Sequence, residues 1–116
     1  MMEHFQMNLN IWYYLPEKYL KQLPQIFSKL DGWLGSGGYG LDSGFWFSYN
    51  INKTEKYICC HHEPSGLYFS AYINESEWEE WKKKIKEIAT KTLGYKVGEP
   101  ELGDCDYSFG NEYANK

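Results

Sequence analysis

Between Gly44 and Ile73 apolar and polar residues alternate with a period of two, which predicts three β-strands joined by two turns. In the first, Phe45, Phe47, Tyr49 and Ile51 share one face, while Trp46, Ser48 and Asn50 share the other. The polar run Asn52-Lys53-Thr54-Glu55 turns the chain into a second strand. There Tyr57, Cys59 and His61 oppose Ile58, Cys60 and His62. Glu63-Pro64-Ser65-Gly66 has the composition of a hairpin loop. The third strand then sets Leu67, Phe69, Ala71 and Ile73 against Tyr68, Ser70 and Tyr72.

The flanking sequence supplies a further strand and two helices. Asn8 to Leu15 alternates, with Leu9, Ile11, Tyr13 and Leu15 opposed to Asn8, Asn10, Trp12 and Tyr14. Pro16 suits a first helical position, and Tyr19, Leu20, Leu23, Ile26, Phe27 and Leu30 form a helical stripe after it. Pro24 should kink that helix or split it near Leu23, and Asp31-Gly32 should stop it. From Glu75 a longer helix carries Trp78, Trp81, Ile85, Ile88, Thr92 and Leu93 on one face, with Asn74 or Ser76 as cap and Gly94 as terminator. Glutamates crowd its first turns and lysines follow, matching the helix dipole. Tyr95-Lys96-Val97 reads as a short last strand, after which the chain leaves the fold.

The expected architecture is α+β: a mostly antiparallel sheet of four to five strands with two helices packed on one face, in the order β-α-β-β-β-α-β. Residues 1–7 are expected to be loose, 8–98 to form the single domain, and 99–116 to form an acidic tail. With Phe45, Phe47, Leu67 and Phe69 turned toward the helices, the opposite sheet face would show Trp12, Tyr14, Trp46, Tyr68 and Tyr72. So many rings on an open face exceed ordinary surface and mark a binding platform or a homodimer interface.

Composition sharpens this picture. Aromatic residues are 19% of 116, more than one small core needs, so some must lie near the surface. All 12 basic residues are lysine, and the lack of arginine counts against base-edge and bidentate phosphate recognition. Residues 1–96 carry 11 Lys and 11 acidic residues, so the net charge of −4 sits in the tail, with Glu99, Glu101, Asp104, Asp106 and Glu112. An acidic segment repels nucleic acid and attracts basic proteins. No targeting or membrane-spanning segment is visible, and three cysteines with two adjacent do not make a disulfide framework. A cytoplasmic protein with reduced thiols is expected.

Candidate chemistry is sparse. Gly35-Ser36-Gly37-Gly38-Tyr39-Gly40 spells G-x-G-x-x-G, but a phosphate cradle needs a strand before it and a helix after it, and here the order is reversed. Cys59-Cys60-His61-His62 holds metal-ligand residue types, yet strand alternation splits them between two faces, with His4 and Cys105 remote. A Cys–His nucleophile there would lie mid-strand without an oxyanion-forming turn. No carboxylate pair is selected by spacing. No catalytic residue, cofactor or metal is therefore expected. An RNA-binding sheet is the alternative that the open-face aromatics raise, against the neutral body and acidic tail; a small enzyme or metal protein using Cys59–His62 is the third.

Taken whole, the chain resembles the bacterial immunity proteins encoded beside polymorphic or contact-dependent toxins. The resemblance lies in the small acidic α+β domain, the lysine-only basic complement, the helix segment Glu77-Trp78-Glu79-Glu80-Trp81 and the exit Gly94-Tyr95-Lys96-Val97-Gly98-Glu99-Pro100-Glu101. It implies a non-catalytic protein that caps a toxin surface. Its partner would be a basic protein rather than nucleic acid or membrane. Contact would come from Trp12, Tyr14, Trp46, Tyr68 and Tyr72 with Glu99, Glu101, Asp104 and Asp106.

Overall fold

The computed structural model describes residues 1–52 and 54–114; Lys53 of the expected turn and the tail's Asn115 and Lys116 lie outside the described residues. Five antiparallel strands form one sheet: β1 (Met2–Leu9), β2 (Trp33–Gly35), β3 (Gly44–Trp46), β4 (Tyr57–Glu63) and β5 (Gly66–Asn74). Their spatial order is β1-β5-β4-β3-β2. Two short helices, α1 (Glu17–Leu20) and α2 (Leu23–Phe27), and the long α3 (Glu75–Leu93) complete the α+β fold. The helices cover one face of the sheet. Among the described residues no helix is long and apolar enough to cross a membrane.

The core follows from the strand period. Met7 and Leu9 of β1, Leu67, Phe69, Ala71 and Ile73 of β5, and Ile58 and Cys60 of β4 all turn toward the helices and are buried. From the other side α2 contributes Leu23, Ile26 and Phe27, and α3 contributes Trp78, Trp81, Ile85, Ala89 and Leu93 at helical spacing. The proline-bearing first helix is split, as Pro24 requires, with Pro24 near the start of α2, where its missing N–H costs nothing. Gly94 ends α3 in the left-handed conformation and closes on Thr90 O.

Three elements differ from the sequence reading. Residues 1–7 are not loose, because Met2–Leu9 pairs with β5 in unbroken register from Met2–Asn74 to Leu9–Leu67. The strand ends at Leu9 because Asn10 turns inward, so residues 10–15 form a turn instead of continuing the alternation. Nor is Tyr95–Val97 a strand; the fifth strand is Trp33–Gly35, from the glycine-rich connection. The third difference is the tail, which folds back. Phe109 stacks on Tyr95 at 3.7 Å, and Trp12 Nε1 donates to Phe109 O at 2.8 Å.

Asn10 makes this closure. It is fully buried, and its side-chain amide donates to Lys96 O (3.0 Å) and Asp106 O (2.9 Å) while its Oδ1 accepts from the Gly98 amide (2.9 Å). Its backbone N–H donates to Gly98 O and its carbonyl accepts from Tyr95 Oη. A buried amide with every side-chain polar atom engaged is stable; the same backbone groups left without it are costly.

Asn10→Ala should therefore lower unfolding free energy by about 3–5 kcal/mol, since it leaves two part-buried carbonyls and one buried amide without their partner. Urea denaturation measures this, and a loss below about 1 kcal/mol would show that the tail docks by other means.

Candidate functional site

The sheet face away from the helices carries a groove. Strand pairing sets Tyr57 beside Tyr72, Cys59 beside Ser70 and His61 beside Tyr68, with Phe45 of β3 next to Cys59. All of these point away from α3, because their neighbours in sequence point toward it. Two loops raise the walls. Tyr39 comes from the glycine-rich connection and Ile51 from the segment between β3 and β4, which also carries Tyr49. Phe45 lies between Tyr39 and Tyr49, with ring centroids 6.2 and 5.2 Å away, and Tyr49 Oη donates to Leu34 O at 2.8 Å. The groove is open to solvent and has a volume of about 490 Å³, and its lining is mostly apolar.

Exposure separates this surface from ordinary solvent-facing sheet. Tyr39 and Ile51 remain 76% and 51% exposed, although they border an apolar floor, and Tyr49 beside Phe45 is 54% exposed. Tyr68 Oη is pushed above the usual phenol range by burial first, then by Cys59 and Glu63. A face this apolar, rimmed by rings that the chain itself does not cover, is suited to bury a partner's side chains.

The nine residues expected to form the contact surface fall in four places. Tyr68 and Tyr72 do lie on this face. Trp46 does not: it pairs with Ile58 on the helix side, is fully buried, and its indole N–H donates to Phe27 O at 3.1 Å. The reason is local. Phe47 adopts a left-handed backbone (φ 72°), which breaks the alternation after Trp46. Phe47 packs against the core on the helix side, lining one hollow with Ile73 and Trp81, while Phe45 takes the open face. This arrangement needs glycine at position 32, since a Cβ there would lie 2.5 Å from the Phe47 ring.

Trp12 is also removed from the open face, buried beneath the tail with Tyr107 edge-on at 5.5 Å. Tyr14 stacks on Trp12 at 6.4 Å and stays half-buried, away from the groove. The tail acids divide. Glu99 bonds Lys86 at 2.7 Å and lies 3.5 Å from Lys82. Asp104 pairs with Lys86 at 3.1 Å and accepts the Glu99 amide at 2.6 Å. Asp106 accepts from Ser108 Oγ, and Glu101 is exposed on a single 3₁₀ turn. Glu99 and Asp104 thus hold the tail to α3.

The Cys-Cys-His-His run divides between faces as strand parity dictates. Cys59 and His61 line the groove. On the other side His62 Nε2 donates to Ile11 O at 2.8 Å and Nδ1 lies 2.9 Å from Asp42 Oδ2, clipping β4 to two loops. No group of three His, Cys, Asp or Glu side chains suited to a metal ion occurs among the described residues. Burial raises the thiols of Cys59, where the Ser70 amide opposes it, and of Cys60, where Cys59 and Asp42 add to it. These shifts run opposite to thiolate activation.

Phe45, Tyr49 and Ile51 were missed because their alternation was read as one long strand facing the helices, whereas β3 ends at Trp46, and Tyr39 was missed because the glycine-rich connection has no periodic pattern. The signal for Phe45 was Gly44, whose missing Cβ leaves room for the Trp33 and Trp46 rings on the helix side. Comparison with protein-family models, curated proteins and solved structures finds no match for this chain.

The tail latch has a defined pH window. Burial alone would raise Asp104, but hydrogen bonds from Lys86 and the Glu99 amide, with the Lys86 charge, hold it below the ordinary carboxylate value. Burial likewise opposes Lys86, whose bonds to Glu99 and Asp104 raise it overall. The Asp104 contribution is therefore complete above the unfolded value of about 3.9 and is lost as pH falls through the lower folded value; the Lys86 contribution is lost only above about 10.4. Limited proteolysis of the tail should be slow from about pH 5 to 9 and accelerate in acid, and Asp104→Asn should abolish that acid step. An unchanged acid step in Asp104→Asn would place the titration elsewhere.

Proposed function

We propose that this protein is a non-catalytic protein-binding module, an immunity-type antidote that caps a cognate bacterial toxin with the open face of its sheet. One observation carries the reading: an apolar groove of about 490 Å³ lies on the face that no helix covers, Tyr39 and Ile51 stand exposed around it, and the exposed Tyr49 packs beside Phe45. Aromatic anchors in such a hollow are the usual source of affinity in protein complexes. The net charge of −4, with Glu63 on the same face and Glu101 and Asp106 on the surface, favours a basic partner and speeds its approach. Cys59, Cys60 and Cys105 are free thiols, in keeping with a cytoplasmic site of action. Contact therefore centres on Phe45, Ile51, Tyr68 and Tyr72, with Tyr39 and Tyr49 at the rim.

Co-purification with the product of the adjacent gene, followed by an assay of that product's toxicity, tests the reading. Phe45→Ser combined with Ile51→Lys should weaken the complex at least about tenfold, or about 1.4 kcal/mol, with an unchanged circular dichroism spectrum. Wild-type affinity in this variant would remove the groove from the contact. Binding of single-stranded RNA that weakens steeply with salt would replace the reading with a nucleic-acid one.

A further inference from the structure

The sheet has a second unpartnered feature, its β1 edge. β1 pairs with β5 alone, and which of its backbone groups are left over follows from the hairpin joining β4 to β5. Pro64-Ser65 is a two-residue loop, so Glu63 and Gly66 are a hydrogen-bonded pair, and so are His61–Tyr68, Cys59–Ser70 and Tyr57–Tyr72. The intervening residues Leu67, Phe69, Ala71 and Ile73 turn their amides and carbonyls toward β1, where they meet Leu9, Met7, Phe5 and Glu3. A Cβ at Gly66 would collide with the Leu9 carbonyl, which confirms that this group points inward. Met2, His4, Gln6 and Asn8 must therefore aim their N–H and C=O groups outward. Among the described residues no backbone bond other than the β5 ladder reaches residues 2–9.

Soluble proteins normally blunt such an edge with lysine, proline, a bulge or a covering segment. β1 has no lysine, no proline and no break in register over eight residues, and its one charge is Glu3. We propose that β1 pairs antiparallel with β1 of a second copy of this chain, joining two five-stranded sheets into one about a two-fold axis. The inference is independent of the groove, which lies among β3, β4 and β5.

Self-complementarity selects a second copy as the occupant. A two-fold normal to the sheet keeps helix face beside helix face, so odd positions meet odd ones and even meet even. Centred on Phe5, the pairing sets Glu3 against Met7 and His4 against Gln6 of the second copy, so the single charge never faces itself. His4 and Gln6 already hydrogen-bond within one chain at 3.3 Å, so the two side chains are chemically matched. Charge on α3 agrees. Phe5 stacks on Trp78 at 5.9 Å, which places the start of α3 over this edge. Glu75, Glu77, Glu79 and Glu80 precede Lys82, Lys83, Lys84 and Lys86 along that helix. The two-fold runs the two helices antiparallel, and the acidic half of each then lies alongside the basic half of the other.

Light scattering coupled to size-exclusion chromatography, from low-micromolar to millimolar protein, tests the pairing. Wild type should show the mass of two chains. Gln6→Pro should show one, because it deletes an outward N–H and no bond to β5, while its circular dichroism stays that of wild type. His4→Lys with Gln6→Lys places four lysines on the seam and should also give one chain, and it decides the matter if the proline variant unfolds. A wild type of single-chain mass at every concentration overturns the proposal, as does a dimer that persists in the lysine variant.

Discussion

A single buried side-chain amide joins the two ends of this chain. Asn10 stops β1, turns its amide into the protein and holds Lys96, Gly98 and Asp106 through three hydrogen bonds. A buried amide is tolerated only when its polar atoms are satisfied, and here the C-terminal segment provides every partner. Closure at Asn10 brings Phe109 onto Tyr95 and over Trp12, and it sets Glu99 and Asp104 against Lys86. The acidic segment is thereby part of the fold.

That closure decides which surfaces remain open. One end of the domain uses its large rings internally, with Trp12, Tyr95 and Phe109 packed together. The helix side uses Trp46, Trp78 and Trp81, where Trp46 meets Trp81 edge-on at 4.9 Å. The groove on the far face of the sheet has no such cover. Tyr39 and Ile51 at its border come from loops and are left facing solvent. The fold thus has a covered aromatic side and an uncovered one, and the proposed contact lies on the second.

Much of the architecture was legible because period-two and period-3.6 patterns are set by local geometry. The facing of β4 and β5 and the split at Pro24 follow directly. What escaped was decided by contacts remote in sequence. Trp46 was turned outward on paper because strict alternation was carried through Phe47, whose left-handed backbone depends on Gly32 fifteen residues away. Trp12 was placed on a strand because Asn10 resembles any polar position in an alternating run until its distant partners are known. Tail acidity suggested a solvated segment, yet the deciding residues were Phe109 and the lysines of α3. Strand parity did predict that Cys59 and Cys60 would separate.

Amide hydrogen exchange tests the central claim, that Asn10 docks the tail as part of the folded domain. The amides of Val97, Gly98, Glu99 and Asp106, each bonded within the closed structure, should exchange as slowly as the β4–β5 ladder. The outward-facing amides of His4 and Gln6 serve as the fast reference if β1 is unpaired under the conditions used. Exchange of residues 97–106 at the rate of an open chain, with the sheet still protected, would contradict the account.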